Sequence, residues 1–329
     1  MRRRDVIIGL ASTASLAAFP ARAQRSPAPR RIGVLIGLAE SDAEGRKWAG
    51  ALFKSLGEQG WTRDGNLQVD QRWGGADVAH IEAQAKEMVR LGPEVIAVST
   101  TPGTAAVVAT NTRIPVVFSA VSDPTPFVHN LARPDGNITG FVNFEESIGG
   151  KWVELLRETA PQLSQIVILF NATSATPQFT YYRGSIERAA AVYGMTVRTL
   201  SWNDTASLEQ GLATLAGATG VGLIVMPTPH EVAQRDLIVA AANRMRIPTM
   251  YPFAFWVRQG GLVSYGVDLS DLHRRAGFYI DRLLKGAQPG ELPVQFPTKF
   301  EVAVNLKTAN MLGITPPATL LGRADEVVE

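Results

Sequence analysis

The sequence predicts an α/β protein of two lobes, each built on a parallel sheet, and three observations carry that expectation. Short apolar runs alternate with longer amphipathic segments along the chain, the order that parallel strands with right-handed crossovers require. The same succession occurs twice. A strand, Thr101-Pro102, a helix, Arg113-Ile114-Pro115 and a strand in the first half answer to a strand, Thr228-Pro229, a helix, Arg246-Ile247-Pro248 and a strand in the second. The length of 329 residues, 46% hydrophobic and 19% charged, suits two medium cores and is not the composition of a membrane protein.

Residues 1–23, MRRRDVIIGLASTASLAAFPARA, set Arg2, Arg3 and Arg4 before a short apolar stretch and close on Ala21-Arg22-Ala23, the layout of an export signal cut after Ala23. The arginines followed by Asp5-Val6-Ile7 also fit a twin-arginine signal, with the general secretory route as the alternative. No later apolar run approaches the roughly 18 residues that span a bilayer, so a soluble mature protein in the periplasm is expected. The chain has no cysteine, which removes disulfides, thiolate chemistry and the cysteine of a lipid anchor. Cleavage would take away four of the 32 basic residues and one of the 30 acidic ones, leaving 28 against 29. The basic balance therefore belongs to the signal, and no nucleic-acid partner is expected.

A linker over residues 24–30 precedes the first buried strand, Ile32 to Ile36, with Gly37, Ser41 and Asp42 at its end. The next helix puts Trp48, Leu52, Phe53 and Leu56 on one face and stops at Gly60; Trp48, like Trp152 later, is assigned to helix packing. GWTRDGNLQVDQRW reads as a turn and a strand, and Asp77 caps a helix whose Val78, Ile81, Ala85 and Met88 point inward. The stretch EVIAVSTTPGTAAVVA, residues 94–109, then breaks from a buried strand into the hydroxyls of Thr100, Thr101 and Thr104 around the first turn of a small-residue helix. Free N–H groups and the helix dipole at such a start suit a ligand carboxylate. It has no GxxxxGK[ST] pattern and no lysine, which disfavours a nucleotide phosphate.

VVFSA follows as a strand with Ser122 and Asp123 beyond its carboxyl end, and LARPDGNITGF, residues 131–141, is expected to make the first crossing between the lobes. The second half reads as a helix over 151–159, a strand over 166–170, the loop NATSATP opening with Asn171, a helix, a strand over 196–200, a helix from Ser207 and a strand over 221–226. GGLVSYG forms a further strand, residues 269–284 a helix, EVAVNL a strand and residues 307–312 a helix. Ligands in open α/β sheets sit beyond the carboxyl ends of the strands, so two facing lobes would enclose one between their loop edges. The expected ligand-binding set is Ser41, Thr100, Thr101, Thr104, Ser122, Asp123, Asn171, Thr228, Tyr251 and Tyr265. No catalytic constellation is visible: GxSxG is absent, and His80, His129, His230 and His273 lack metal-ligand spacing. No cofactor and no metal are expected.

The strings TPGTAA, IPVVFSAVSDP, LARPDGNITGF, GGLVSYG and LLKGAQPGELPVQFPTKFEVAVNLKTANMLGITPPATLLGRADEVVE resemble the ABC transporter substrate-binding protein family related to tryptophan and other aromatic amino acid binders. The resemblance runs from about Ile32 to Glu329. It implies a type I periplasmic binding protein, two Rossmann-like lobes joined by three crossings that close on a small-molecule ligand and deliver it to the membrane permease of an ABC importer. It also implies a monomer without enzyme activity, with residues 31–145 and 265–297 in the first lobe and 146–264 and 298–329 in the second. An exported sensor or scaffold of the same fold is the alternative, and an enzyme is less favoured. One departure matters. The amino acid binders of the family carry a Pro-Thr-Asp pattern after the second lobe's strand, whereas this chain has Pro227-Thr228-Pro229-His230-Glu231, so the carboxylate that would pair with a ligand ammonium is missing there.

Overall fold

The computed structural model describes residues 28–173 and 176–329, leaving the expected export signal and its cleavage point outside the described residues. The chain opens with β1 (Arg30–Ile36), α1 (Ala43–Glu58), β2 (Leu67–Trp73), α2 (Val78–Arg90), β3 (Val95–Ser99), α3 (Thr101–Val108), β4 (Val116–Val121) and β5 (Ile138–Val142). These strands form one sheet in the order β2-β1-β3-β4-β5, all parallel. Asp42 caps α1 by accepting from the N–H groups of Glu44 and Gly45, and Asp77 caps α2 through His80 N–H at 2.7 Å.

The second half continues with α4 (Ile148–Thr159), β6 (Gln165–Asn171), α5 (Thr176–Val192), β7 (Thr196–Trp202), α6 (Thr205–Ala213), β8 (Val221–Val225), α7 (Pro229–Ala233), α8 (Arg235–Arg244), β9 (Thr249–Tyr251), α9 (Ala254–Arg258) and β10 (Val263–Gly266). After α10 (Leu269–Leu284) come β11 (Glu301–Asn305), α11 (Leu306–Leu312), α12 (Ala318–Leu321) and β12 (Glu326–Val328). The second sheet has the order β12-β11-β10-β9-β8-β6-β7, and only the β10–β11 pair is antiparallel. Read from β7, its first five strands repeat the order second, first, third, fourth, fifth seen in the first sheet. The internal echo in the sequence is thus an echo of topology, and in each sheet the order reverses between the first and third strands, where α/β folds place ligands.

Two expectations change. LARPDGNITGF does not cross between lobes, because β5 begins within it and pairs with β4 in the first sheet. Asn137 Nδ2 donates to the carbonyls of Thr112 and Ile114, and a Cβ on Gly140 would sit 2.1 Å from Phe118 O, so this segment is fastened to β4. The crossing follows Val142 instead. The chain stays in the second sheet as far as Gly266, two residues beyond the expected lobe boundary, before α10 returns to pack on α1. Val294 and Gln295 rejoin the first lobe, Gln295 exchanging hydrogen bonds of 2.9 Å with Gly140 and Val142, and a third crossing leads to β11.

Candidate functional site

The carboxyl ends of the two sheets face each other across a cavity of about 20 Å³, room for roughly one water molecule in this conformation. The first lobe lines it with Trp48 of α1, Thr100 and Thr101 at the start of α3, Ala120 of β4, Asn143 just after β5 and Leu269. The second lobe contributes Gln178 of α5, Pro227, Thr228, Pro229, Val232 and Phe253. Both chain-order reversals are represented, since Thr100 follows β3 beside β1 and Thr228 follows β8 beside β6.

The backbone is strained where it meets the cavity. Thr100 has φ 72° and Ala120 φ 59°, conformations that β-branched and other L-residues avoid; Thr100 directly follows β3, and Ala120 lies at a register shift near the end of the adjacent β4. Gly37 makes room for this arrangement, because a Cβ there would lie 2.6 Å from Thr100 Oγ1. Four buried polar atoms of lining residues have no hydrogen-bond partner: Trp48 Nε1, Thr100 Oγ1, Asn143 Oδ1 and Gln178 Oε1. Buried polar groups in folded proteins are nearly always paired, so these four atoms give the cavity unused hydrogen-bonding capacity. Trp48 is held by stacking on His273, ring centroids 5.3 Å apart at 16°. His273 Nδ1 lies 2.7 Å from Leu269 O, and burial lowers its pKa to about 4, so the ring is neutral near pH 7.

Of the ten residues expected from sequence, Thr100, Thr101 and Thr228 line the cavity. Thr104 does not: its hydroxyl donates to Thr100 O at 2.9 Å, the back-bond typical of threonine inside a helix. Ser122 acts at one remove, its N–H donating to Thr101 Oγ1 at 3.2 Å. Asp123 turns to its own loop and accepts from the N–H and hydroxyl of Thr125. Ser41 is exposed beside Asp42. Asn171 is fully buried at the end of β6, its N–H donating to Glu231 Oε1 at 2.5 Å. Tyr251 is also fully buried, stacked on Trp256, and burial pushes its phenol pKa well up. Tyr265 stacks on Phe300 away from the cavity. Asn143 and Gln178 line the cavity although no pattern in the sequence marks them; Trp48 packs between helices on His273 as expected and lines the cavity as well, while Trp152 packs in the interior, Nε1 donating to Tyr265 O at 2.8 Å. The Pro-Pro flanking of Thr228 was the one available signal for that wall.

Charged groups stand behind the cavity rather than in it. Arg235 Nη1 at the start of α8 donates to Asp42 Oδ2 across the lobes at 2.5 Å, with both side chains close to nine-tenths buried. Glu231 of α7 is turned into the second lobe, where it accepts from Asn171 N–H, Trp202 Nε1 (3.2 Å) and the Thr228 hydroxyl. Desolvation raises its pKa to about 8. Among the described residues no group of three acidic or histidine side chains could hold a metal ion, and no helix is long and apolar enough to cross a membrane.

Residues 32–328 match the family model described as ABC transporter substrate binding protein. The chain belongs to that family. This substrate-binding protein is 23% identical over 264 residues to the tyrosine-binding protein of Clostridioides difficile strain R20291, an alignment covering 79% of this chain and 75% of the relative. Its fold is similar to that of the ABC domain in complex with L-Trp from Streptococcus pneumonia, with TM-score 0.83, 23% identity, and coverage of 92% of this chain and 100% of the other. A ligand-free, open substrate-binding protein with adhesive properties from Clostridium difficile is similar at TM-score 0.66 and 20% identity, covering 91% and 99%. Family and neighbours are solute-binding proteins rather than enzymes, and such proteins are typically extracytoplasmic.

Proposed function

We propose that this protein is the solute-capturing component of an ABC importer, closing its lobes outside the cytoplasm on a small carboxylate-bearing molecule and delivering it to a membrane permease. The observation that carries the reading is the cavity shared by both lobes, in which Trp48 Nε1 of α1 and Thr100 Oγ1 at the start of α3 are buried without partners. An N–H, a hydroxyl and a helix N-terminus together make a complement for an anion. Export through the signal ending at Ala23 and action as a monomer belong to the same reading. The lobes in it are residues 31–145 with 267–297 and residues 146–266 with 298–329.

A cavity of about 20 Å³ admits a metabolite only if the lobes part and close again, so binding should be coupled to hinge motion. The test is thermal unfolding of the purified protein across a library of small acids and their esters. A ligand at roughly 100 times its dissociation constant adds about 2.7 kcal/mol to stability, a readily measured shift in Tm. A shift with an acid but not its ester, accompanied by a smaller radius of gyration in scattering, is the expected result. Equal binding of acid and ester would overturn the carboxylate anchor, and consumption of the compound by catalytic amounts of protein would overturn the transport role.

A further inference from the structure

We infer that the ligand carries no ammonium group: it is a small carboxylic acid whose remaining polar groups are uncharged hydrogen-bond donors, such as hydroxyl or amide N–H, rather than a zwitterionic amino acid. The inference rests on the proposed capture of an acid in the cavity between the lobes and names the class of acid. Among the described residues, none that lines this cavity is ionisable. A cation entering there would give up its hydration without gaining a counter-charge, which buried sites do not tolerate.

The acidic side chains close in the chain to the lining residues do not themselves line the cavity: Asp268 caps α10 through Ser270 N–H, Asp123 accepts from Thr125, and Glu145 is exposed. Glu231, three residues after Thr228, faces the interior of the second lobe and is satisfied by three donors. Its raised pKa keeps it largely protonated near neutrality, so it presents little negative charge even at a distance. Asp42 gives one oxygen to the N-terminus of α1 and the other to Arg235. What the two lobes do offer is a pair of neutral acceptors, Asn143 Oδ1 from the first and Gln178 Oε1 from the second, each in a side chain that is 3% exposed or less and each without a partner. Such acceptors are completed by ligand O–H or N–H. The amide oxygens accept from any N–H or O–H, so it is the missing counter-charge and not the acceptors that disfavours an ammonium; an amide turned the other way offers NH₂, which repels one outright. A molecule with a carboxylate toward Trp48 and the start of α3 and two uncharged donor hydrogens toward the amides, from a pair of hydroxyls or an amide NH₂, supplies a partner for each of the four orphaned atoms.

Titration calorimetry with matched pairs decides the matter: lactate against alanine, 3-phenyllactate against phenylalanine, indole-3-lactate against tryptophan, with a polyol panel alongside. In at least one pair the hydroxy acid should bind at least about tenfold more tightly than the amino acid, the worth of one well-made hydrogen bond against an uncompensated charge. Gln178→Glu, which places a carboxylate at the same acceptor, should reverse that preference by about tenfold, with the folded state checked by its unfolding transition. An amino acid binding as tightly as its hydroxy analogue, or an unchanged preference in the Gln178→Glu protein, overturns the inference while leaving capture by the lobes intact. Binding of polyols alone overturns the acid, and with it this inference. Failure of every compound in the panel counts against both this inference and the capture function on which it rests.

Discussion

Removing the charge pair between Asp42 and Arg235 should open the protein. The two atoms lie 2.5 Å apart with side chains 11% and 12% exposed, and they join α1 of one lobe to α8 of the other. Most of the Coulomb attraction at that distance is offset by withdrawing both charges from water, leaving about 1.5 to 3 kcal/mol for a charge-assisted hydrogen bond. If the lobes separate, both groups regain water, so the loss falls on the closed state and not on the folded state. Arg235→Ala should therefore lower the ratio of closed to open forms by about 10- to 150-fold. Affinity follows the closed population, so Kd should rise by a similar factor. Asp42→Asn is the cleaner partner because asparagine keeps the cap on α1 while losing the charge. Calorimetric titration of the single and double variants with the tightest acid of the panel gives the coupling. A double variant as weak as the sum of the singles, or an Arg235→Ala protein with wild-type affinity and an unchanged radius of gyration, refutes the latch.

Trp48→Phe keeps the ring on His273 but deletes Nε1–H, and should weaken acid binding by about 10- to 100-fold with little change in Tm. Thr104→Val should bind within about threefold of wild type, because its hydroxyl serves the helix; a loss comparable to that of Trp48→Phe would return Thr104 to the site. Thr100→Gly should raise stability by about 1 kcal/mol in denaturant unfolding, by releasing a β-branched residue from φ 72°, and should weaken binding at the same time; a destabilised variant would show that the turn is unstrained. The pKa of Glu231 is raised on folding from 4.5 to about 8, so its contribution to stability is fully present below pH 4.5 and is lost as pH rises toward 8. Glu231→Gln should accordingly show a flatter Tm between those pH values, and an unchanged slope would rule the group out as its source.

The fold was legible because its two signals are local and repeated. Buried strands such as Val95–Ser99 and Val221–Val225 read as apolar runs, and the helix start at Asp77 reads as a cap. The site was legible only where the chain announced it chemically, as in Thr100 and Thr101 around Pro102. Trp48 does pack on His273 of α10, as a helix-packing residue should; that it also lines the cavity depends on how the lobes meet, which a helix pattern does not record. Asn143 and Gln178 carry no local signal at all: each matters because a crossing of the chain brings it to the other lobe, and its orphaned oxygen exists only in three dimensions. Tyr251 failed for the opposite reason, since a strand of three residues ends inside the core rather than at its edge.

The hinge and the cavity share one ring. The second lobe's side of the crossings is rigid: a Cβ on Gly266 would fall 1.7 Å from Pro252 O, and Trp152 Nε1 fixes Tyr265 O at 2.8 Å. In the proposed closure, bending would therefore fall on Val267-Asp268 and on the stretch from Pro297 to Phe300, which lie outside regular structure. At the first crossing Phe144 is packed edge-on against Trp152 and face-on against Phe253, with centroids 5.5 Å apart in both cases. Phe253 also forms a wall of the cavity. A ligand that presses on Phe253 thus fixes the surface on which the first crossing is stacked, while one that engages Gln178 and Asn143 ties the lobes directly. Shape and hydrogen bonding act on the same closure by separate routes, so a hydroxy acid with the wrong side chain should close the lobes less completely than its loss of contact area alone requires.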